Sequence, residues 1–352
     1  MENLLQKLKQ NFLIIGSIIL ITLLACNRTQ VVETEANPVY VTDTTPNDTD
    51  DPAIWIDKSN PEKSLILGTD KGDSTGGIFV FDLKGKLIPS LCLQNLSRPN
   101  NIDVEYGFLF NGKTIDIAVF TERGKNKIRV VAIPEFKFID NGGIEVFANE
   151  VDSLRQPMGI GLYKDKNNDI YAFVSRKNGP KIGYIHQYLL VSKDSFVVAK
   201  FIRQFGEFSG NKEIEAIVVD DELGYVYYSD EGVGVRKYYA DANKGNQQLA
   251  MFATTGISQD HEGLSIYTLP KGKGFIILSD QQANKFHIYS RKGSWFNPHD
   301  HKLLKIVKAK TDESDGSEIT SVPLNADFPK GIFVAMSTDK TFHFYRAEDI
   351  IP

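Results

Sequence analysis

Cysteine is nearly missing from this chain: 352 residues contain two, Cys26 and Cys92. Cys92 lies in the apolar Leu91-Cys92-Leu93 stretch without a partner, so neither a disulfide framework nor a thiolate metal cage is available. Histidine is also scarce. His186, His261, His287, His299, His301 and His343 show no zinc-ligand spacing, and His299 and His301 read as solvated loop residues. A basic stripe is absent and the formal charge is −5, which excludes the electrostatic footprint of a nucleic-acid binder. No segment after residue 25 sustains a 3.6-residue apolar period, so helices should be few. No convincing Ser/His/Asp constellation appears. With 41% hydrophobic and 24% charged residues, the chain is nonetheless ordinary for a folded globular protein.

What is present is a repeat. A short polar-then-hydrophobic segment begins at Asp51, Asn101, Met158, Glu215, Glu262 and Glu318, in steps of 50, 57, 57, 47 and 56 residues. Such a period built from short strands indicates a β-propeller. The first repeat reads as four strands: Ala53-Ile54-Trp55-Ile56, Ser64 to Thr69, Ile78-Phe79-Val80-Phe81 and Leu87 to Leu93. The last repeat holds only three, Ile319 to Val322, Gly331 to Met336 and Phe342 to Tyr345. Its missing outer strand is expected from Pro38-Val39-Tyr40-Val41-Thr42, because an open ring would leave unpaired edges. The expected fold is therefore all-β, a six-bladed β-propeller of four-stranded antiparallel blades, closed by the N-terminal strand and spanning residues 38–352.

Residues 1–25 read as a signal peptide: Lys7 and Lys9 precede an apolar run from Phe12 to Leu24 that is short for a membrane span. The run ends Leu23-Leu24-Ala25-Cys26, which resembles the bacterial lipobox, and implies Cys26 as the lipid-attachment site. Multiple acylation there would anchor the protein to a bacterial membrane on the extracytoplasmic side, in the cell envelope or at the surface. Residues 26–37 are polar without a period and read as a flexible tether. A monomer is expected, since closure leaves few edges to pair.

A second repeated position falls where the second strand of each blade ends: Thr69-Asp70-Lys71, Thr121-Glu122-Arg123, Ser175-Arg176-Lys177, Ser229-Asp230-Glu231, Ser279-Asp280-Gln281 and Ser337-Thr338-Asp339. An antiparallel neighbour ends where the first strand begins, so these positions and the repeat openings should meet at one mouth of the channel. Repeats one to three bring Lys71, Arg123 and Lys177. Repeats four to six bring Glu215, Glu231, Asp260, Glu262, Asp312, Asp315 and Glu318. Taken singly, such acids are ordinary turn and strand-end residues. As a set facing three cations they point to hard divalent cations on the acidic half, with Ca²⁺ the natural candidate. The basic half suits a polyanion with several phosphates. The Asp220-Asp221-Glu222-Leu223-Gly224 run is placed in a turn on the opposite face.

These residues resemble the β-propeller phytases, calcium-dependent 3-phytases that hydrolyse myo-inositol hexakisphosphate. The resemblance rests on Asp50-Asp51-Pro52-Ala53-Ile54-Trp55, Asn100-Asn101-Ile102-Asp103, Glu215, Asp260-His261-Glu262-Gly263-Leu264 and Asp315-Gly316, and covers about residues 46–350. It implies Asp51, Glu215, Glu231, Asp260, Glu262 and Asp315 as calcium ligands. It implies Lys71, Arg123 and Lys177 as phosphate clamps, working with Glu215 and Glu231, and attack by a water held at the calcium centre. Two adjacent phosphate pockets are implied as well. Met158, Glu105, Asn178 and Ala335-Met336-Ser337 depart from the family's usual pattern and bear on the second pocket and the number of calcium ions. Two other readings compete: a non-catalytic surface propeller that binds a polyanionic ligand, and a calcium-propeller lactonase or esterase.

Overall fold

A computed structural model describes residues 31–352, so the expected signal peptide and Cys26 lie outside the described residues. Six small antiparallel sheets follow one another along the chain. Blade one is Thr49–Trp55, Leu65–Asp70, Gly76–Phe81 and Leu93–Leu96. Blade two runs from Pro99–Phe110 to Lys137–Phe138, and blade three from Pro157–Lys164 to Phe196–Glu207. Blade four holds Ile217–Asp220, Tyr225–Asp230, Gly234–Tyr239 and Ala250–Phe252. Blade five holds His261–Leu269, Lys273–Asp280, Lys285–Ser290 and Leu303–Lys308. Blade six has Ser317–Ile319, Ile332–Ser337 and Thr341–Arg346. Its fourth strand is Tyr40–Val41, with Tyr40 opposite Phe344 and Val41 opposite His343, as the short final repeat requires.

Three local expectations change. The outer strand of blade one is Leu93–Leu96 rather than Leu87 to Leu93; Pro89 opens a 3-10 turn that interrupts the earlier stretch. Within the expected tether, Val32–Glu35 forms a fifth strand on blade five beside Leu303–Lys308. Backbone pairing to an open edge needs no hydrophobic period, and an ion pair between Glu33 and Lys285 at 2.8 Å reinforces it. His301 is buried, not solvated, packing on Tyr227 and Phe252 beside the buried Lys237.

The core lies between blades. Phe286 of blade five meets Phe333 of blade six edge-on at 4.8 Å, a geometry aromatic quadrupoles favour. Trp55 of blade one donates its indole N–H to Asp116 of blade two at 3.0 Å. The Ser/Thr residues of the second repeated position stitch neighbours together. Thr121, Ser175, Ser229 and Ser279 each donate their hydroxyl to a backbone carbonyl at the opening of the next blade, those of Met158, Ile214, Glu262 and Ser314, at 2.6–2.7 Å. Each such bond contributes on the order of 1 kcal/mol net, and all of them fix the mouth.

The first strands of the six blades enclose a channel of about 660 Å³. Where these strands begin, four of them carry a register shift: Thr49/Pro52, Pro99/Ile102, Pro157/Ile160 and His261/Leu264. A bulge re-aims successive side chains and ends regular pairing, so the sequence places a distortion at the channel rim in each of these blades.

Candidate active site

The three cations expected from repeats one to three do meet at one mouth. Lys71 lies 3.0 Å from Asp50 and 2.9 Å from Asp315. Burial opposes its charge, but Asp50, Asp315 and Glu215 outweigh that and raise its pKa. Arg123 approaches the side-chain carbonyl of Asn100 at 3.4 Å. Lys177 contacts Glu213. Burial and the neighbouring Arg123 push the Lys177 pKa down, while Glu215 and Glu231 oppose that. Glu215 is thus electrostatically joined to all three cations.

Neighbours in sequence separate sharply here. Arg176 is fully buried, held by Glu150 at 3.0 Å and stacked over Phe147, and serves packing. Lys177, one residue later and past the strand end, is half-buried at the mouth.

The carboxylates form two linked groups, Glu213–Glu215–Glu231 and Glu231–Asp260–Glu262, each with oxygens within 4.8 Å of one another. Burial raises the Glu215 pKa well above its usual range, and repulsion from Asp50 adds to it. Burial and then Asp260 push Glu231 up to about 7. Burial and then Glu231 raise Glu262. Oε2 of Glu262 is buried without a hydrogen-bond partner. An all-oxygen donor set with an orphaned buried oxygen fits a hard divalent cation, which would replace the missing partner and relieve the repulsion. Asp315 borders this ground between Lys71 and Gln281.

Backbone proximity makes the cluster possible. A Cβ on Gly159 would come within 1.7 Å of the Glu215 carbonyl oxygen, and one on Gly263 within 2.7 Å of that of Asp315. Only glycine lets adjacent blades approach this closely.

Several expected residues sit elsewhere. Asp51 points into the channel, accepts the Ile102 N–H at 3.0 Å and lies outside both carboxylate groups. The bulge after Thr49 separates it from Asp50, which faces Lys71 instead. Glu318 also lines the channel, where burial and then repulsion from Asp103 raise its pKa. Asp312 is exposed and accepts the Thr338 hydroxyl at 2.8 Å, an ordinary turn contact. The run at Asp220 falls at the other end of its strand, as expected: Arg291 binds Asp220 at 2.7 Å and Glu222 at 3.0 Å.

The mouth holds groups the repeat reading did not single out. Asn100 donates to Asp50 at 2.6 Å and to Glu215. Its position one residue before a repeat opening, matching Asp50, was the available signal. Lys212 caps Asp260, and Gln282 donates to the same carboxylate at 2.6 Å. Glu213 and Lys212 lie in the loop before Glu215, where no repeat marks them.

A protein-family model described as Phytase matches residues 12–343. The chain is 33% identical over 313 residues to a 3-phytase of Bacillus subtilis (strain 168), covering 86% of this chain and 77% of that protein. A six-bladed propeller with this mouth and these similarities has one reading: the chain belongs to the phytase family.

Proposed function

We propose that this chain is a phosphomonoester hydrolase acting on myo-inositol hexakisphosphate, with calcium as its metal. The carrying observation is the juxtaposition of Lys71, Arg123 and Lys177 with the buried carboxylates: Lys71 on Asp50, Arg123 on the Asn100 that bridges Asp50 and Glu215, and Lys177 on Glu213. Arg123 and Lys177, projecting from successive blades, grip phosphate oxygens, the first by a planar fork and the second as a point charge. Lys71 is braced by Asp50 and Asp315, so its ammonium meets the substrate without reorganising. Asn100 holds Asp50 and Glu215 in register.

Glu215, Glu231, Asp260 and Glu262 would hold the cation, with Asp315 alongside; Asp51 would serve a cation only from within the channel. Bound calcium would supply charge against the phosphate oxygens and lower the pKa of a coordinated water. A carboxylate of this set would take a proton from the attacking water as its oxygen joins phosphorus and would return a proton to the departing inositol oxygen, so that one P–O ester bond breaks and inorganic phosphate and an inositol hydroxyl are left. The chain is also read as lipid-anchored through Cys26 on the extracytoplasmic side.

Phosphate release from inositol hexakisphosphate should require calcium and stop with chelator. Calcium should also raise the thermal midpoint, since a ligand that binds only the folded state at about 100 times its Kd stabilises by about 2.7 kcal/mol. Binding without turnover would instead favour a non-catalytic polyanion receptor.

A further inference from the structure

Trp295 and Phe296 are adjacent, 86% and 83% exposed, with rings 4.5 Å apart. Large aromatics bury much apolar surface when they can, and two adjacent rings tilted against each other and held out in water form an exposed apolar patch of the kind that marks a contact surface. The pair does not hang on a loose loop. Asn297 N–H bonds the Ser294 hydroxyl at 3.1 Å, Lys237 donates to the Pro298 carbonyl at 3.2 Å, and His301 bonds the Ser290 carbonyl at 2.8 Å. A buried lysine and a buried histidine thus pin the turn from beneath.

Three observations select the occupant. Exposed Lys292 and Lys302 flank the pair, and exposed Lys271 and Lys273 lie in the hairpin at the same end of blade five; Asp300, 3.9 Å from Lys302, is the acid within the loop. Aromatic rings bordered by lysines suit the boundary between acyl chains and anionic headgroups. Secondly, Leu303–Lys308, the strand that leaves this loop, is the one that Val32–Glu35 joins. Cys26 is six residues before Val32, a reach of at most about 20 Å. Thirdly, the loop follows Ser290, which pairs with Phe275, at the end of the blade away from Asp280 and the catalytic mouth.

We propose that the Trp295–Phe296 turn is a membrane-contact wedge. It enters the interface of an anionic bilayer beneath blade five and holds the propeller with its catalytic mouth turned away from the lipid. The short reach to the bilayer rests on the lipid-anchor reading; the charge and aromatic arguments do not.

The full chain, as produced in a bacterium, is placed on phosphatidylglycerol-containing vesicles whose acyl chains carry bromine. Trp295 emission is taken as the difference between the native chain and Trp295→Phe. We expect a blue shift and loss of at least about half of that emission relative to unbrominated vesicles, as for a ring at acyl-chain depth. Lys292→Glu with Lys302→Glu should at least halve the quenching. Emission unaffected by bromine and still open to aqueous iodide, with protein on the vesicles, overturns the proposal. So does a concentration-dependent shift without vesicles, which would mean a second copy covers the pair. Mass analysis of the N-terminal peptide tests the anchor separately. If no lipid is attached, the measurement is repeated with vesicles in excess, where quenching supports the wedge alone and its absence overturns it. Trp295→Ser with Phe296→Ser should leave phosphate release unchanged in every arm.

Discussion

The first strand of blade four, Ile217–Asp220, ends on one acid and follows another, Glu215, two residues before it starts, and the two are treated oppositely. Asp220 is buried and neutralised, with Arg291 bonded at 2.7 Å and itself anchored by Glu222 and the Lys273 carbonyl. Glu215 is set beside Asp50, Glu213 and Glu231, and its pKa rises from burial and like charge. The difference teaches how one blade divides its labour. A charge matched within the fold stabilises it, and a charge left partly unmatched is available to a ligand. Only the second kind costs the folded protein something until the ligand arrives.

The contrast can be broken at either end. Arg291→Ala leaves Asp220 as an uncompensated buried charge and should destabilise the fold by about 3–5 kcal/mol, read as a lower urea midpoint. Phosphate release per folded molecule should hold, because nothing at the mouth touches Arg291; a large loss of turnover would couple the two ends. At the mouth, Lys177→Ala or Glu215→Gln should cut turnover at least about a hundredfold, as when transition-state electrostatics are removed. Stability should change little, and near-normal rates in both would reject the assigned roles.

A smaller effect concerns titration away from both ends. Burial holds the His186 pKa down to about 4, from 6.5, among Phe147, Tyr188 and Phe201. The unfolded chain then binds more protons than the folded one between these values, so stability should fall as pH drops through that window. His186→Gln should flatten that part of a thermal-midpoint profile; an unchanged slope would place the effect elsewhere.

The architecture was legible because blade openings recur at measurable steps and the last repeat visibly lacked a strand. The pairing of Tyr40–Val41 with Thr341–Arg346 answers that arithmetic. The convergence of Lys71, Arg123 and Lys177 followed from antiparallel geometry alone. What escaped was direction. A one-residue bulge after Thr49 turns Asp50 toward Lys71 and Asp51 into the channel, and period-two reasoning cannot register an inserted residue. Loop contributors such as Lys212 and Glu213 escaped because nothing in a repeat marks a residue outside it. Val32–Glu35 was hidden for another reason: edge pairing uses main-chain groups, which every sequence has.

The seam where Tyr40–Val41 lies against Thr341–Arg346 joins segments about 300 residues apart in one sheet. Nascent protein therefore cannot seal its circle until Thr341–Arg346 has been made, and the earlier blades must wait as an arc with a bare flank. Whatever delays completion lengthens the interval in which a foreign strand can occupy that flank. Proteolytic loss of the segment before Thr42 would recreate the same vulnerability in finished molecules.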